Sequence, residues 1–308
     1  MEILDAMETE ARLPYPELAD SIREVMDGRR EGKLDAPSRL VLSLPERGNL
    51  LVMPAADDQL AITKLVTVHP GNAEHELPTI QGEVVVMEAS TGTPLGILDG
   101  AAVTAKRTAA LSLLAARTLA PHPEGPLLIV GAGTQARSHL EAFREGLGVS
   151  EVLLSSRTAE RAVSLAEHAR SLGMGARVVD GPEEGLDEVS LVVTATTSQE
   201  PILPEEIPDN TFVAAVGAFD PEMAELPPGL VGSSSVVVDT IEGVMEEAGD
   251  LIRAEHAGAF GWEDATQLED ALLWSNKPGG TIVFKSVGHA LWDLAAARTA
   301  FGGRCVLP

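Results

Sequence analysis

Cysteine is all but missing: Cys305 is the single one in 308 residues. One thiol cannot close an internal disulfide, so no disulfide framework is available, and a site so near the end is expected to be inert. Cationic charge is also scarce. Lys and Arg number 22 against 47 Asp and Glu, a net charge of −25. Such a surface repels phosphate backbones, which argues against nucleic acid as a partner. The acids are spread along the chain, so they read as a solvated surface and not as an acidic tail. Lysine is the rarest charged residue, five against 17 arginines, so each one can be examined individually. No apolar run approaches the roughly 20 residues needed to span a bilayer. The first residues carry acids without an apolar core, so neither a membrane anchor nor a signal peptide is expected, and the cytoplasm is the default location. No metal site is read from the sequence.

What is present is organised around residues 125–143, GPLLIVGAGTQARSHLEAF. The apolar run 127–130, bounded by Pro126 and Gly131, predicts a short, fully buried strand. Gly131, Gly133 and Ala136 follow in GxGxxA spacing, and Ala136, Leu140 and Phe143 then recur at helical intervals. A glycine fingerprint between a strand and a helix is the context that a dinucleotide site requires. Gly131 permits the tight turn, and Gly133 lets the backbone approach a pyrophosphate. Ala136 keeps the helix close to the sheet. The helix start, at Thr134 and Gln135, offers free N–H groups to the phosphates.

A hydrophobic content of 44% suits a sizeable core, and the length allows one large domain or two ordinary ones. Residues 16–32 predict a helix with the apolar stripe Leu18, Ile22, Val25 and Met26; residues 1–13 read as a short entry segment. From 39 to 99 the texture is strand-rich. Leu40, Leu42 and Leu44 alternate with other residues, and the runs 50–53, 61–68 and 82–88 are separated by turns at Gly48-Asn49, Gly71-Asn72 and Thr91-Gly92-Thr93-Pro94. This predicts an antiparallel region forming its own domain. Residues 104–120 predict a helix N-capped by Thr104 and ended by Pro121 and Pro123. After 127–130, strands at 152–156, 176–179, 191–195, 212–216 and 236–238 alternate with helices at 159–172 and 244–254, implying a parallel, doubly wound sheet. A strand at 281–284 and a helix at 288–300 close the chain, with domain splits near Pro121 and near Thr281.

Several residues carry potential chemistry. An NAD site has an acid after the second strand to hold the ribose 2′-OH. Here Ser155, Ser156, Arg157 and Thr158 stand there instead. Arg157 can meet a 2′-phosphate in a charge-assisted fork, favouring NADPH with NADH as the alternative; the plain reading is an ordinary surface arginine. Thr194, Ala195, Thr196, Thr197 and Ser198 follow the fourth strand and either line the cofactor pocket or form a polar loop. Lys64 lies in the apolar run LAITKLVTV, where it either snorkels to solvent or faces a polar pocket. Arg39 and Arg107 are each a clamp for a carboxylate or a surface ion-pair residue.

Taken with their neighbours, these residues resemble the ornithine cyclodeaminase/μ-crystallin family. The matching segments are Pro37-Ser38-Arg39, Leu51 through Ala55, Thr63-Lys64-Leu65-Val66, Pro94 through Gly100 and Val103 through Ala110. After GAGTQA come Ala215-Val216-Gly217, Pro221, Glu225-Leu226 and Ser286-Val287-Gly288 through Asp293 to Ala296, all in the same order over roughly residues 37–297. The resemblance implies an α/β fold, with a Rossmann doubly wound sheet inserted into a strand-rich α+β domain for substrate binding and dimerisation. The substrate domain would be 1–120 plus 283–308, and the dinucleotide domain 121–282. It also implies a homodimer, and a carboxylate site made of Arg39, Lys64 and Arg107 with Lys64 as the catalytic residue. Val216 and Gly217 join the cofactor set.

One departure bears on the reaction. Cyclodeaminases and the related alanine dehydrogenases carry Asp two residues after the glycine of Ala-Val-Gly. This chain has Phe219 there, with Asp220 one place late. The stretch from Ala218 to Leu226 looks more like the Δ1-pyrroline-2-carboxylate and Δ1-piperideine-2-carboxylate (ketimine) reductases. The expected activity is NADPH-dependent reduction of a small cyclic imino acid to proline or pipecolate. The alternatives are ornithine cyclodeaminase or alanine-dehydrogenase-like activity and, from another class, a non-catalytic binding protein for NADPH or a small ligand.

Overall fold

The computed structural model describes residues 1–75 and 77–302; Cys305 lies outside the described residues. The chain divides into two units, residues 1–111 with the stretch from His289 onward, and residues 112–288.

The first unit opens with β1 (Glu2–Ile3), α1 (Ala6–Ala11) and α2 (Tyr15–Arg30). The entry segment is thus a strand and a short helix, and Asp5 and Glu8 form a reciprocal capping box at the helix start. Five strands follow: β2 (Leu40–Ser43), β3 (Asn49–Ala56), β4 (Leu60–Val68), β5 (Ile80–Glu88) and β6 (Pro94–Asp99). They form one sheet in the order β1-β6-β5-β4-β3-β2, antiparallel except for the β1–β6 pair. Strand periodicity decides what each face does. Along β4, Leu60, Ile62, Lys64 and Val66 are buried, while Leu65 between them is 39% exposed. The C-terminal helix (Ala290–Phe301) packs on β3, β4 and α2. From α2 it meets the buried stripe Leu18, Ile22, Val25 and Met26, each worth roughly 1.5–3 kcal/mol of transfer free energy. Ser21 Oγ donates to the Ala295 carbonyl at 3.0 Å across that contact.

The connecting helix α3 (Gly100–Leu119) starts a full turn earlier than its sequence suggests. Asp99 is the capping residue: its Oδ1 accepts from Ala102 N at 2.7 Å. Thr104 is inside the helix, its hydroxyl donating back to the Gly100 carbonyl at 2.7 Å.

The second unit contains β7 (Leu127–Val130), α4 (Thr134–Leu147), β8 (Glu151–Ser155), α5 (Ala159–Ser171), β9 (Gly175–Val178), β10 (Leu191–Thr194), β11 (Phe212–Ala215), α6 (Pro228–Ser233), β12 (Ser235–Val238), α7 (Ile241–Glu247), α8 (Gly249–His256), β13 (Thr266–Gln267), α9 (Leu268–Ala271) and β14 (Ile282–Lys285). The strands make an eight-stranded parallel sheet in the order β13-β12-β14-β11-β10-β7-β8-β9. Every residue of β7, β10, β11 and β14 is buried, as expected when helices cover both faces and apolar runs replace alternation. β7 lies between β8 and β10, where the winding reverses, the place where such sheets bind ligands.

Three expectations change. The helix expected at 244–254 is two, α7 and α8, separated at Ala248, whose ψ of 85° leaves the helical region. β14 pairs with β11 and β12, so residues 283–288 belong to the Rossmann unit and the second boundary falls after Gly288. The first boundary falls inside α3, before Ser112 and not near Pro121, because the later half of α3 packs on α4. Ser112 Oγ meets His139 Nε2 at 2.9 Å, and Gly146 has no room for a Cβ beside Leu113.

Candidate functional site

In the first unit the strand-rich sheet holds a cluster of buried charge. Lys64 falls on the covered face of β4 because two-residue periodicity places it in line with Ile62 and Val66. Only 3% of it is exposed, so snorkelling is excluded. Its Nζ donates to Thr104 Oγ1 at 2.5 Å and to Asp293 Oδ1 at 3.0 Å. Arg107, one turn beyond Thr104 on α3, is also buried and places Nε 3.5 Å from the same Asp293 oxygen. Asp293 is wholly buried, the one acid in the C-terminal helix. Burial pulls the Lys64 ammonium down to about 8; the Asp293 carboxylate holds it up against that, and the Arg107 and Arg39 guanidinium charges press it further down. Arg39 is thus close enough for its charge to be felt.

Two cations, Lys64 and Arg107, share the one Asp293 carboxylate, which leaves the cluster positive. Arg107 Nε and Asp293 Oδ2 are buried without a hydrogen-bond partner among the described residues. A donor in that position costs free energy until an acceptor meets it, and the surplus positive charge would favour an anionic one. Asp293 and Thr104 were not read as site residues from the sequence. The available signal was an acid alone in an Ala- and Leu-rich helix.

In the second unit, a groove of about 450 Å³ lies at the carboxyl ends of β7, β8 and β10. It is lined by Gly131, Ala132 and Gly133, by Ser155 through Thr158, by Arg161 and Asp180, and by Ala195 through Ser198. Gly131 has a φ of +120°, and a Cβ there would fall on the Ala195 carbonyl. Gly133 is the N-cap of α4, with open space where a Cβ would be. Thr134 and Gln135 supply the first N–H groups of that helix, and Ala136 is fully buried against the sheet. These features fit a pyrophosphate approaching the backbone. Ser156, Arg157 and Thr158 follow β8 as expected, and Arg161, one turn into α5, joins Arg157 at the groove. Both arginines are exposed, and neither has an ion-pair partner among the described residues.

The strand-end residues divide. Thr196 lines the groove, but Thr194 is fully buried and donates its hydroxyl to Glu225 Oε2 at 2.9 Å. That bond turns it away from the groove. Val216 and Gly217 follow β11 and do not line this groove. Phe219 is 45% exposed, and Asp220 Oδ1 accepts from Glu222 N at 2.9 Å, closing a local turn.

Among the described residues no group of His, Cys, Asp and Glu could hold a metal ion, and no helix is long and apolar enough to cross a membrane. A family model described as the ornithine cyclodeaminase/mu-crystallin family matches residues 1–302. The Delta(1)-pyrroline-2-carboxylate reductase 1 of Burkholderia multivorans is 38% identical over 299 residues, 97% of this chain and 94% of that protein. Among solved structures, the Thermococcus litoralis Delta(1)-pyrroline-2-carboxylate reductase, in complex with NADH and L-proline, superposes with a TM-score of 0.90 at 28% identity, covering 98% of this chain and 97% of that one. An archaeal alanine dehydrogenase dimer with bound NAD gives 0.89 at 28% identity, covering 98% and 95%. The glycine loop alone would leave the family open. The buried cation cluster, the inserted parallel sheet and a match along nearly the whole length place this chain in the ornithine cyclodeaminase/mu-crystallin family.

Proposed function

We propose that this protein is an NADPH-dependent reductase of a small cyclic imino acid, Δ1-pyrroline-2-carboxylate or its six-membered homologue. The observation that carries the reading is the buried cluster of Lys64, Arg107 and Asp293, with Arg39 adding its charge. A protein that only stored a dinucleotide would have no use for two buried cations on one carboxylate.

Gly131, Gly133, Thr134, Gln135 and Ala136 would hold the pyrophosphate, and Ser156, Arg157 and Thr158 the adenosine ribose. When bound, the reduced nicotinamide supplies a hydride. The chain's own work is at the imino acid. Arg39 and Arg107 take its carboxylate and fix the face that the ring presents. Lys64 has three N–H donors. Two are spent on Thr104 and Asp293, and the third is left for the substrate. As hydride reaches the imine carbon, Lys64 gives a proton to the ring nitrogen, so C=N becomes CH–NH with charge balanced. Burial makes this transfer easier by lowering the Lys64 pKa toward the working range.

The NADPH preference rests on Arg157 and Arg161 at the groove, with no acid directly after β8. The relative solved with NADH makes that preference a point to measure. We also propose that two copies pair through the open face of the first sheet. Leu50, Leu65, Ile80 and Ile97 line a hollow of about 930 Å³ on it, and a second copy seated there would remove these side chains from water.

Phe219 argues against cyclodeamination. That reaction needs a group to bind ornithine's free ammonium and manage its proton; an apolar ring supplies neither, and an unpartnered buried ammonium is costly. Asp220 is engaged with Glu222 N. The protein should oxidise NADPH with a cyclic imino acid and release no ammonia from L-ornithine. Ammonia release with NAD⁺, abolished by Asp220→Asn, would promote the cyclodeaminase. Absence of turnover in either direction, with the dinucleotide still bound, would favour the binding protein.

A further inference from the structure

Glu225 follows β11, is fully buried, and has both carboxylate oxygens occupied. Oε1 accepts from Thr196 N at 2.7 Å and from Thr196 Oγ1 at 2.8 Å. Oε2 accepts from Gly217 N at 2.7 Å and from Thr194 Oγ1 at 2.9 Å. One carboxylate therefore ties the end of β10 and the loop after it to the loop after β11. The two loops are in close contact: a Cβ at Gly217 would fall on Glu225 and on the Thr196 backbone. Thr196 and its neighbour Ala195 line the dinucleotide groove, and the Ala195 carbonyl is what excludes a Cβ at Gly131. The glycine loop and the loops after β10 and β11 thus form one contiguous layer.

The layer is held from below. Asp250 Oδ1 accepts from the N–H groups of Glu225 and Leu226, the latter at 2.9 Å, and Lys285, the last residue of β14, binds Asp250 Oδ2. All three ionisable groups are fully buried, a costly arrangement unless geometry is the return. The position of the layer suggests what it serves. The pyrophosphate loop follows β7 and the adenosine ribose side follows β8. β10 and β11 lie on the other side of β7, so an extended dinucleotide places its nicotinamide half over them.

We propose that Glu225 is a positioning residue that fixes the loops after β10 and β11 as the platform for the nicotinamide half of the dinucleotide. This rests on the dinucleotide reading above. Glu225→Gln keeps the size but sets an amide NH₂ against backbone N–H donors, so one loop must give way. The test compares wild type and E225Q for affinity toward the whole reduced dinucleotide and toward its adenosine half alone, 2′,5′-ADP, or ADP if NADH is the dinucleotide bound. The expected result is a loss of about tenfold or more for the whole dinucleotide, with the adenosine half within about twofold. In turnover, the primary isotope effect from deuterated reduced dinucleotide should rise, because a misplaced ring makes hydride transfer more rate-limiting.

Equal weakening of both ligands would make Glu225 a general support of the fold and overturn the proposal, as would an unchanged dinucleotide affinity. Should E225Q not accumulate as folded protein, Thr194→Val removes one of the four donors, and the same comparison decides. Failure of the wild type to bind any dinucleotide would overturn the functional reading and this proposal together; normal wild-type binding with an unaffected E225Q overturns the proposal alone.

Discussion

At the scale of single residues, charge placement carries the proposed choice of both cofactor and substrate. Arg157 lies at the groove in a chain whose acids outnumber its bases more than twofold, yet no carboxylate pairs with it among the described residues. Arg157→Asp exchanges attraction for repulsion at a 2′-phosphate. The ratio of kcat/KM for NADPH to that for NADH should fall by about tenfold or more; an unchanged ratio would make Arg157 a bystander. Lys64 sets a pH limit. Below about pH 8 it is an ammonium; above that it loses its proton and one positive charge leaves the clamp. KM for the imino acid should therefore rise as pH passes 8, while dinucleotide affinity stays level. A KM flat to pH 10 would show that the Lys64 charge does not act on the bound substrate.

At the scale of elements, α3 contributes to each unit separately: Thr104 and Arg107 belong to the buried cluster around Asp293, and Ser112 meets His139 of α4. His139 on α4 is wholly buried. Its Nδ1 donates to the Gln135 carbonyl at 2.8 Å, so Nε2 accepts from Ser112 Oγ. Burial lowers its pKa from 6.5 to about 4. The unfolded chain therefore takes up this proton first as pH falls. Stability from the neutral ring is present above 6.5 and is lost as pH drops toward 4, by roughly 3 kcal/mol at most. His139→Gln should flatten the dependence of Tm on pH between 6.5 and 4; an unaltered slope would assign the acid sensitivity elsewhere.

Legibility in the sequence follows from range. The buried parallel strands and the glycine turn are written in consecutive residues, and they were readable as such. Lys64 was visible as a cation in an apolar strand, but not its partner, because Asp293 meets it only through tertiary packing. Thr104 looks like a cap in the sequence because a hydroxyl suits both a helix start and a bond back to the preceding turn; Asp99, just outside, takes the capping position. Thr194 has a hydroxyl suited to a cofactor, but a buried acid 31 residues later claims it.

For the molecule as a whole, the uncovered face of the strand-rich sheet carries the assembly prediction. Leu65 is exposed on it, and Leu65→Glu would bury an unpaired charge in a pairing of two copies. Light scattering should give a dimeric mass for the wild type and a monomeric one for the variant. A variant that stays dimeric would move the interface to another surface.

Lys64 and Asp293 are separated by 229 positions, and the whole second unit is strung between them. During synthesis, β4 is made long before the helix that covers it, so the Lys64–Asp293 contact can form only after the whole second unit has been made. The substrate clamp closes only when the last helix docks. On the proposed reading, a growing chain has every residue of its dinucleotide groove before it has the last residue of its carboxylate clamp.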